Sequence, residues 1–163
     1  MVKKIFSVSI LLIGIIFGSV VSAECPKYLD AEKNYILYAD LGIHGAGLYL
    51  DRHTVGIAEE DNDKYIILVD TVDVPDADKG KTRISNRFSN RYSLDMKEMK
   101  AYRYENFDDK WIEIDWKITD KEDPKFTYDA KIAEAAFYLA VKAKFFGTLD
   151  KVIFNDDFYK SLD

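Results

Sequence analysis

The sequence predicts an α+β domain: a twisted antiparallel β-sheet, a meander of about five to seven strands, with one main C-terminal α-helix packed on it. Three observations carry this expectation. Between residues 35 and 118 apolar side chains recur at every second position. The runs are joined by short polar turns rather than helical stretches. After Pro124 the apolar spacing changes to that of a helix.

Tyr35 to Ala39 is a first short apolar run, and Gly45 to Leu50 leads through Leu48-Tyr49-Leu50 into Asp51. Thr54 to Ala58 reads as a separate short strand. Tyr65 to Val74 is the strongest pattern, with Ile66, Leu68, Val72 and Val74 on one face and Tyr65, Ile67, Val69 and Thr71 on the other. Two apolar faces predict a central strand covered on both sides. After a polar connection from Pro75 to Asn86, Phe88, Tyr92 and Leu94 alternate with Ser89, Arg91 and Ser93, the mark of one buried face. Met99 to Glu105 and Trp111 to Ile118 resume the alternation on either side of the turn Asn106-Phe107-Asp108-Asp109. Asp120 to Pro124 breaks the pattern, and Asp129 is placed to cap a helix running to about Phe146. Ile132, Ala136, Leu139, Ala143 and Phe146 form its apolar stripe, and Gly147 stands where a terminating glycine would. Val152-Ile153-Phe154 and Phe158-Tyr159 predict that part of the tail packs back.

Composition bounds the function. Lys+Arg is 23 against Asp+Glu 29, a net charge of −6, which argues against the basic footprint of a nucleic-acid binder. Hydrophobic residues at 48% and aromatics at 14% exclude a disordered chain. One cysteine excludes an internal disulfide framework, and two histidines leave little for a zinc site, so no metal or cofactor is expected.

The first 23 residues read as a cleaved signal peptide, and 24–163 as a single secreted domain. Lys3 and Lys4 precede an apolar run from Ile5 to Val21, and Val21-Ser22-Ala23 places small residues where a signal peptidase cuts. The run is shorter than the ~20 residues of a membrane span, and no second run of its length follows. The expected location is extracytoplasmic: periplasm, cell surface or released. Cleavage removes two cations and no acid, so the remainder is more acidic still. Cys25 follows Glu24 rather than the small residue of a lipidation site, and is expected at a frayed terminus.

No nucleophile elbow, zinc-helix, phosphate-loop or paired-cysteine motif is present. His44 and His53 have no metal-ligand spacing, and Asp51-Arg52-His53 cannot converge because neighbours in a strand point to opposite faces. The acidic runs Glu59 to Asp63 and Asp76 to Gly80 read as solvated turns. Asp70 interrupts the strongest strand, and Arg91 or Arg103 on a neighbouring strand is its expected partner. Tyr92, Tyr102 and Tyr104 would make an aromatic platform if exposed, and sheet-face packing if not.

One local charge anomaly is basic. From Lys79 to Arg91 the chain carries Lys79, Lys81, Arg83, Arg87 and Arg91 and no acid. In an acidic protein this is a candidate docking patch for an anionic partner, whether a sulfated glycan, an envelope lipopolysaccharide or an acidic protein stretch. Its competitor is a loop whose cations neutralise acidic surroundings.

Leu48-Tyr49-Leu50-Asp51-Arg52-His53-Thr54-Val55, Tyr65 to Val69, Asn90 to Asp95 and Lys100 to Tyr104 together resemble small secreted bacterial proteins of the surface-adhesin protein E-like kind. With Ala133 to Ala140 and Lys144 to Gly147 the layout is also similar to uncharacterised secreted proteins of anaerobic bacteria. The resemblance spans about residues 46 to 116. It implies an extracytoplasmic, non-enzymatic role, with adhesion to host molecules in some members. Members often carry cysteines in the sheet; none stands there in this chain. The resulting expectation is an exported envelope or surface binding module without catalysis. The alternatives are a small hydrolase built on carboxylates such as Asp70 or Glu134, and an inhibitor or chaperone-like module that pairs through a sheet edge.

Overall fold

Six strands pair in sequence order into one antiparallel sheet: β1 (Tyr35–Asp40), β2 (Gly47–Asp61), β3 (Lys64–Val74), β4 (Asn86–Asp95), β5 (Lys100–Glu105) and β6 (Lys110–Glu113). Among the described residues two α-helices follow, α1 (Pro124–Val141) and the short α2 (Asp156–Leu162). The structure, a computed structural model, describes residues 24–115, 124–151 and 153–163. The expected signal segment and the expected strand residues Trp116 to Ile118 lie outside the described residues.

The meander follows from the turns. Asn62 and Asp63, with φ of 45° and 70°, close a two-residue hairpin between β2 and β3. Those residue types bear the left-handed backbone at the least cost after glycine. Between β4 and β5 the Asp95 carboxylate accepts the N–H groups of Lys97 and Glu98 at 3.1 and 2.9 Å and pairs with Lys64 at 3.0 Å. Those backbone bonds, the Glu98 one foremost, hold its carboxyl below the ordinary range.

β2 is one strand of 15 residues, not the two short strands that the pattern suggested. Its pairing with β3 breaks after Asp51 and resumes at Gly56. Thr54 spans the irregularity: its hydroxyl donates to the Asp51 carbonyl at 2.8 Å and accepts the Asp70 N–H at 2.7 Å. A side chain thus replaces a missing rung, and the strand continues.

α1 lies on one face of the sheet, here called inner. Ala133, Ala136 and Phe137 are buried against Ile67 and Val69 of β3, Tyr92 and Leu94 of β4 and Ala101 of β5. The alanines let the helix axis approach the sheet, and Phe137 fills the remaining space edge-on to Tyr65 at 5.4 Å. The helix begins at Pro124, where a missing N–H costs nothing, so this proline starts the helix instead of ending the breaker. Asp129 is therefore inside the helix and not its cap. It pairs with Arg103 Nε at 2.9 Å and accepts the Tyr92 hydroxyl at 3.3 Å, fastening α1 to β4 and β5. The helix stops at Val141, with Lys142 in the left-handed region at φ 60°. Gly147 serves a different end from the expected cap: the Tyr159 hydroxyl lies where its β-carbon would stand.

Among the described residues, the other, outer face is covered only at one end. There Cys25, Tyr49, Val72, Val74 and Ala77 form a smaller core with Leu29, Leu37 and Ile84 packed against it. Cys25 is buried in this cluster and is not at a frayed end; its N–H donates to Asp40 at 2.9 Å, and burial pushes its thiol up to about 11. Further along the same face Leu68 is 43% exposed. The central strand is thus covered on both sides over only part of its length.

Candidate functional site

Strand parity decides which residues share the outer face. The register sets Asp70 opposite Asp51 and Ser89, Val72 opposite Arg87, and Leu68 opposite Arg91. It sets Ser93 opposite Tyr102, then Tyr102 opposite Glu113 and Tyr104 opposite Trp111. Residues paired across strands point the same way, so this face carries Arg87, Ser89, Arg91 and Ser93 of β4 beside Tyr102, Tyr104 and Trp111.

The loop from Pro75 to Ser85 comes over the same face. It turns through Asp76 and Gly80, with φ of 53° and 75°, and the Gly80 N–H closes on the Ala77 carbonyl at 2.9 Å. Ala77 and Ile84 anchor the loop in the outer core, and the Ser85 N–H returns to the Asp73 carbonyl at 2.9 Å. Residues 81–83 are left as an exposed rim. A groove of about 570 Å³ runs between Pro75, Asp76, Lys81, Arg83, Ile84 and Ser85.

The five cations of the basic run lie along this face in two different states. Lys79 is paired with Asp76 at 2.6 Å, and that bond holds the Asp76 carboxyl below its usual range. Arg87 is held by three groups: Asp51 at 2.7 Å, Asp70 at 3.2 Å and the Tyr35 hydroxyl at 3.2 Å. These bonds, the one to Asp51 foremost, raise its pKa further. Arg91 reaches Glu59 at 3.6 Å and lies over the rings of Tyr104 and Trp111, 5.4 and 5.5 Å from their centroids. Among the described residues Lys81 and Arg83 are in no ion pair, and both line the groove.

Asp70 is therefore partnered, as its place in an apolar strand requires, but by Arg87 and Ser89 rather than by Arg91 or Arg103. Arg91 sits one pair further along the strand, opposite Leu68, and Arg103 is on the inner face with Asp129. Tyr92 also belongs to the inner face and is wholly buried, so it is no part of a platform. Trp111 is, at 38% exposure, and only the β5–β6 register brings it to Tyr104, 5.1 Å between ring centroids.

The buried acid that alternation could not reveal is Glu134. Its carboxylate accepts the N–H of Phe145 at 3.1 Å, of Phe146 at 2.7 Å and of Gly147 at 3.4 Å, together with the Tyr159 hydroxyl. Burial raises its pKa, and the four donors pull the other way without cancelling it. Glu134 is packed on the inner side and Asp70 on the outer, so the sheet separates the two acids singled out above. His44 and His53 are both exposed, in a short turn and at the irregularity of β2.

Among the described residues no cluster of three or more His, Cys, Asp or Glu is placed to hold a metal ion. No helix among them is long and apolar enough to cross a membrane. No family model, no curated protein and no solved structure matches the chain.

Proposed function

We propose that this protein is an exported binding module of the bacterial envelope or surface, without catalysis, that takes an anionic partner on the outer face of its sheet. The first 23 residues support export by their pattern, and the resemblance to secreted surface-adhesin proteins favours the same setting. The observation that carries the reading is the divided state of the basic run. Lys79, Arg87 and Arg91 have carboxylate partners, whereas Lys81 and Arg83 face a groove with Ile84 and Pro75 in its lining. On a chain of net charge −6, two cations in no ion pair among the described residues, beside an apolar floor, are the feature best suited to an anion. The guanidinium can fork onto a sulfate or carboxylate, and the ammonium adds a mobile second contact.

The test is retention on immobilised heparin, a sulfated glycan. Wild type should be retained and elute with salt, because exposed charges are screened. The K81E/R83E double variant should pass through. Equal elution of the two proteins overturns the reading.

A further inference from the structure

Beyond the groove, the outer face carries a second, chemically different feature. Leu68, Arg91, Tyr102, Tyr104 and Trp111 share one patch of the outer face: Leu68 is registered against Arg91, Tyr102 against Ser93 and Tyr104 against Trp111, and the Arg91 guanidinium lies over the rings of Tyr104 and Trp111. Three features mark it. Large apolar groups stay open, Trp111 and Leu68 among them. Its guanidinium is stacked over two rings and has only a long contact to the exposed Glu59. Its hydroxyls at Tyr102 and Ser93, a directly opposed pair, have no hydrogen-bond partner among the described residues.

We propose that this patch is a carbohydrate subsite that binds an acidic sugar residue, its ring laid on the aromatic side chains and its carboxylate turned to Arg91. The assignment rests on the outer face being the binding surface, and it names the partner as an acidic polysaccharide. The chemistry matches group by group. A pyranose ring offers one face of C–H bonds to an aromatic surface, which an acidic peptide, with no rigid apolar plane, lacks. Arg91 is planar and stacked, so less freedom is lost when it meets a carboxylate than for a mobile lysine. Displacing the 3.6 Å contact to Glu59 costs little, because an exposed ion pair contributes little. The free hydroxyls of Tyr102 and Ser93 then meet sugar hydroxyls. Position supports a chain rather than a single sugar. Arg91 lies four residues beyond Arg87 on one strand, roughly 13 Å along the face, and the Lys81–Arg83 groove lies at the Arg87 end, so a linear polyanion can follow the strand from groove to patch.

The experiment is affinity electrophoresis of the purified protein in gels containing polygalacturonate, neutral dextran or poly-glutamate, with heparin retention measured in parallel. Polygalacturonate should retard the wild type and dextran should not. W111A and R91Q should each weaken polygalacturonate binding by about tenfold or more, and W111F should keep most of it. The W111F comparison and an unchanged unfolding midpoint separate a lost stacking surface from a misfolded chain. Polygalacturonate binding that is indifferent to W111A overturns the subsite. If K81E/R83E still abolishes heparin retention in that case, the groove reading survives alone. Binding of poly-glutamate as tight as of polygalacturonate, also indifferent to W111A, assigns the attraction to charge and overturns it too. A wild-type dimer that W111A dissociates overturns it in favour of self-association through this face.

Discussion

The two faces of the sheet solve the same problem, placing charge on a β-surface, in opposite ways. On the inner face the buried charges are spent on structure. Arg103 joins β5 to α1 through Asp129 and also reaches Glu105 at 2.8 Å, and Glu134 binds the Phe145–Gly147 turn and α2 into the same core. Buried groups of this kind are tolerated because their partners are complete. On the outer face the ion pairs are partly solvated, one is long, and two cations have no pair among the described residues. Charges whose local partners are weak or missing are the ones an outside ligand can recruit. On the proposed reading, recognition belongs to the outer face and rigidity to the inner.

Breaking the inner face should have the largest effect. Glu134→Ala leaves three backbone N–H groups and the Tyr159 hydroxyl without their acceptor, and should cost about 3 kcal/mol in urea unfolding. A change below about 0.5 kcal/mol would contradict the role assigned to it. Arg103→Ala comes next, at about 2–3 kcal/mol, since it takes the cation from the buried Asp129; the same denaturation series measures it.

Acidity sharpens the contrast. The folded pKa of Glu134 is raised by burial above the value of the unfolded chain. Between those two values the folded protein holds a proton that the unfolded one lacks. The stabilisation this gives is complete below the ordinary carboxylate range and is lost as pH rises through the folded value. Relative to Glu134→Gln, which cannot titrate, the wild type should gain stability as pH is lowered from about 7 towards about 5. Parallel pH profiles of the two proteins would count against the assignment.

On the outer face the expected effects on stability are smaller. Arg87→Ala should cost about 1 kcal/mol, chiefly because Asp51 is buried and loses its cation, while Arg87 itself is 41% exposed and screened. Chemical denaturation of this variant checks the figure. Its Glu variant is a poor probe of docking, because it would set three carboxylates together. Lys81→Glu and Arg83→Glu should move the unfolding midpoint least, within about 0.5 kcal/mol, as exposed rim positions.

Much of this architecture was legible in the chain. Period-two alternation placed five of the six strands and, through parity, put Arg87 and Arg91 on the face opposite Tyr92. The turn residues Asn62-Asp63 and Asn106 to Asp109 set the meander. What escaped depends on contacts between residues remote in sequence. Glu134 stands among alanines and was legible only as a candidate carboxylate; its hydrogen-bond donors lie 11 to 25 residues on, where no periodicity points. The continuity of β2 hangs on one threonine hydroxyl, and the start of α1 on a proline equally able to break a helix. The basic run was visible as a run, but whether each cation is free or paired needs the register that brings Asp51 and Asp70 to Arg87 and Glu59 to Arg91.

The most direct measurement of the central claim is salt-gradient elution from immobilised heparin of wild type, K81E/R83E and a control with Lys151, an exposed lysine outside that face, changed to glutamate. The account predicts that wild type and K151E elute together at raised salt, and that K81E/R83E appears in the flow-through with an unchanged unfolding midpoint. Co-elution of all three proteins, or an equal loss in K151E, would contradict it.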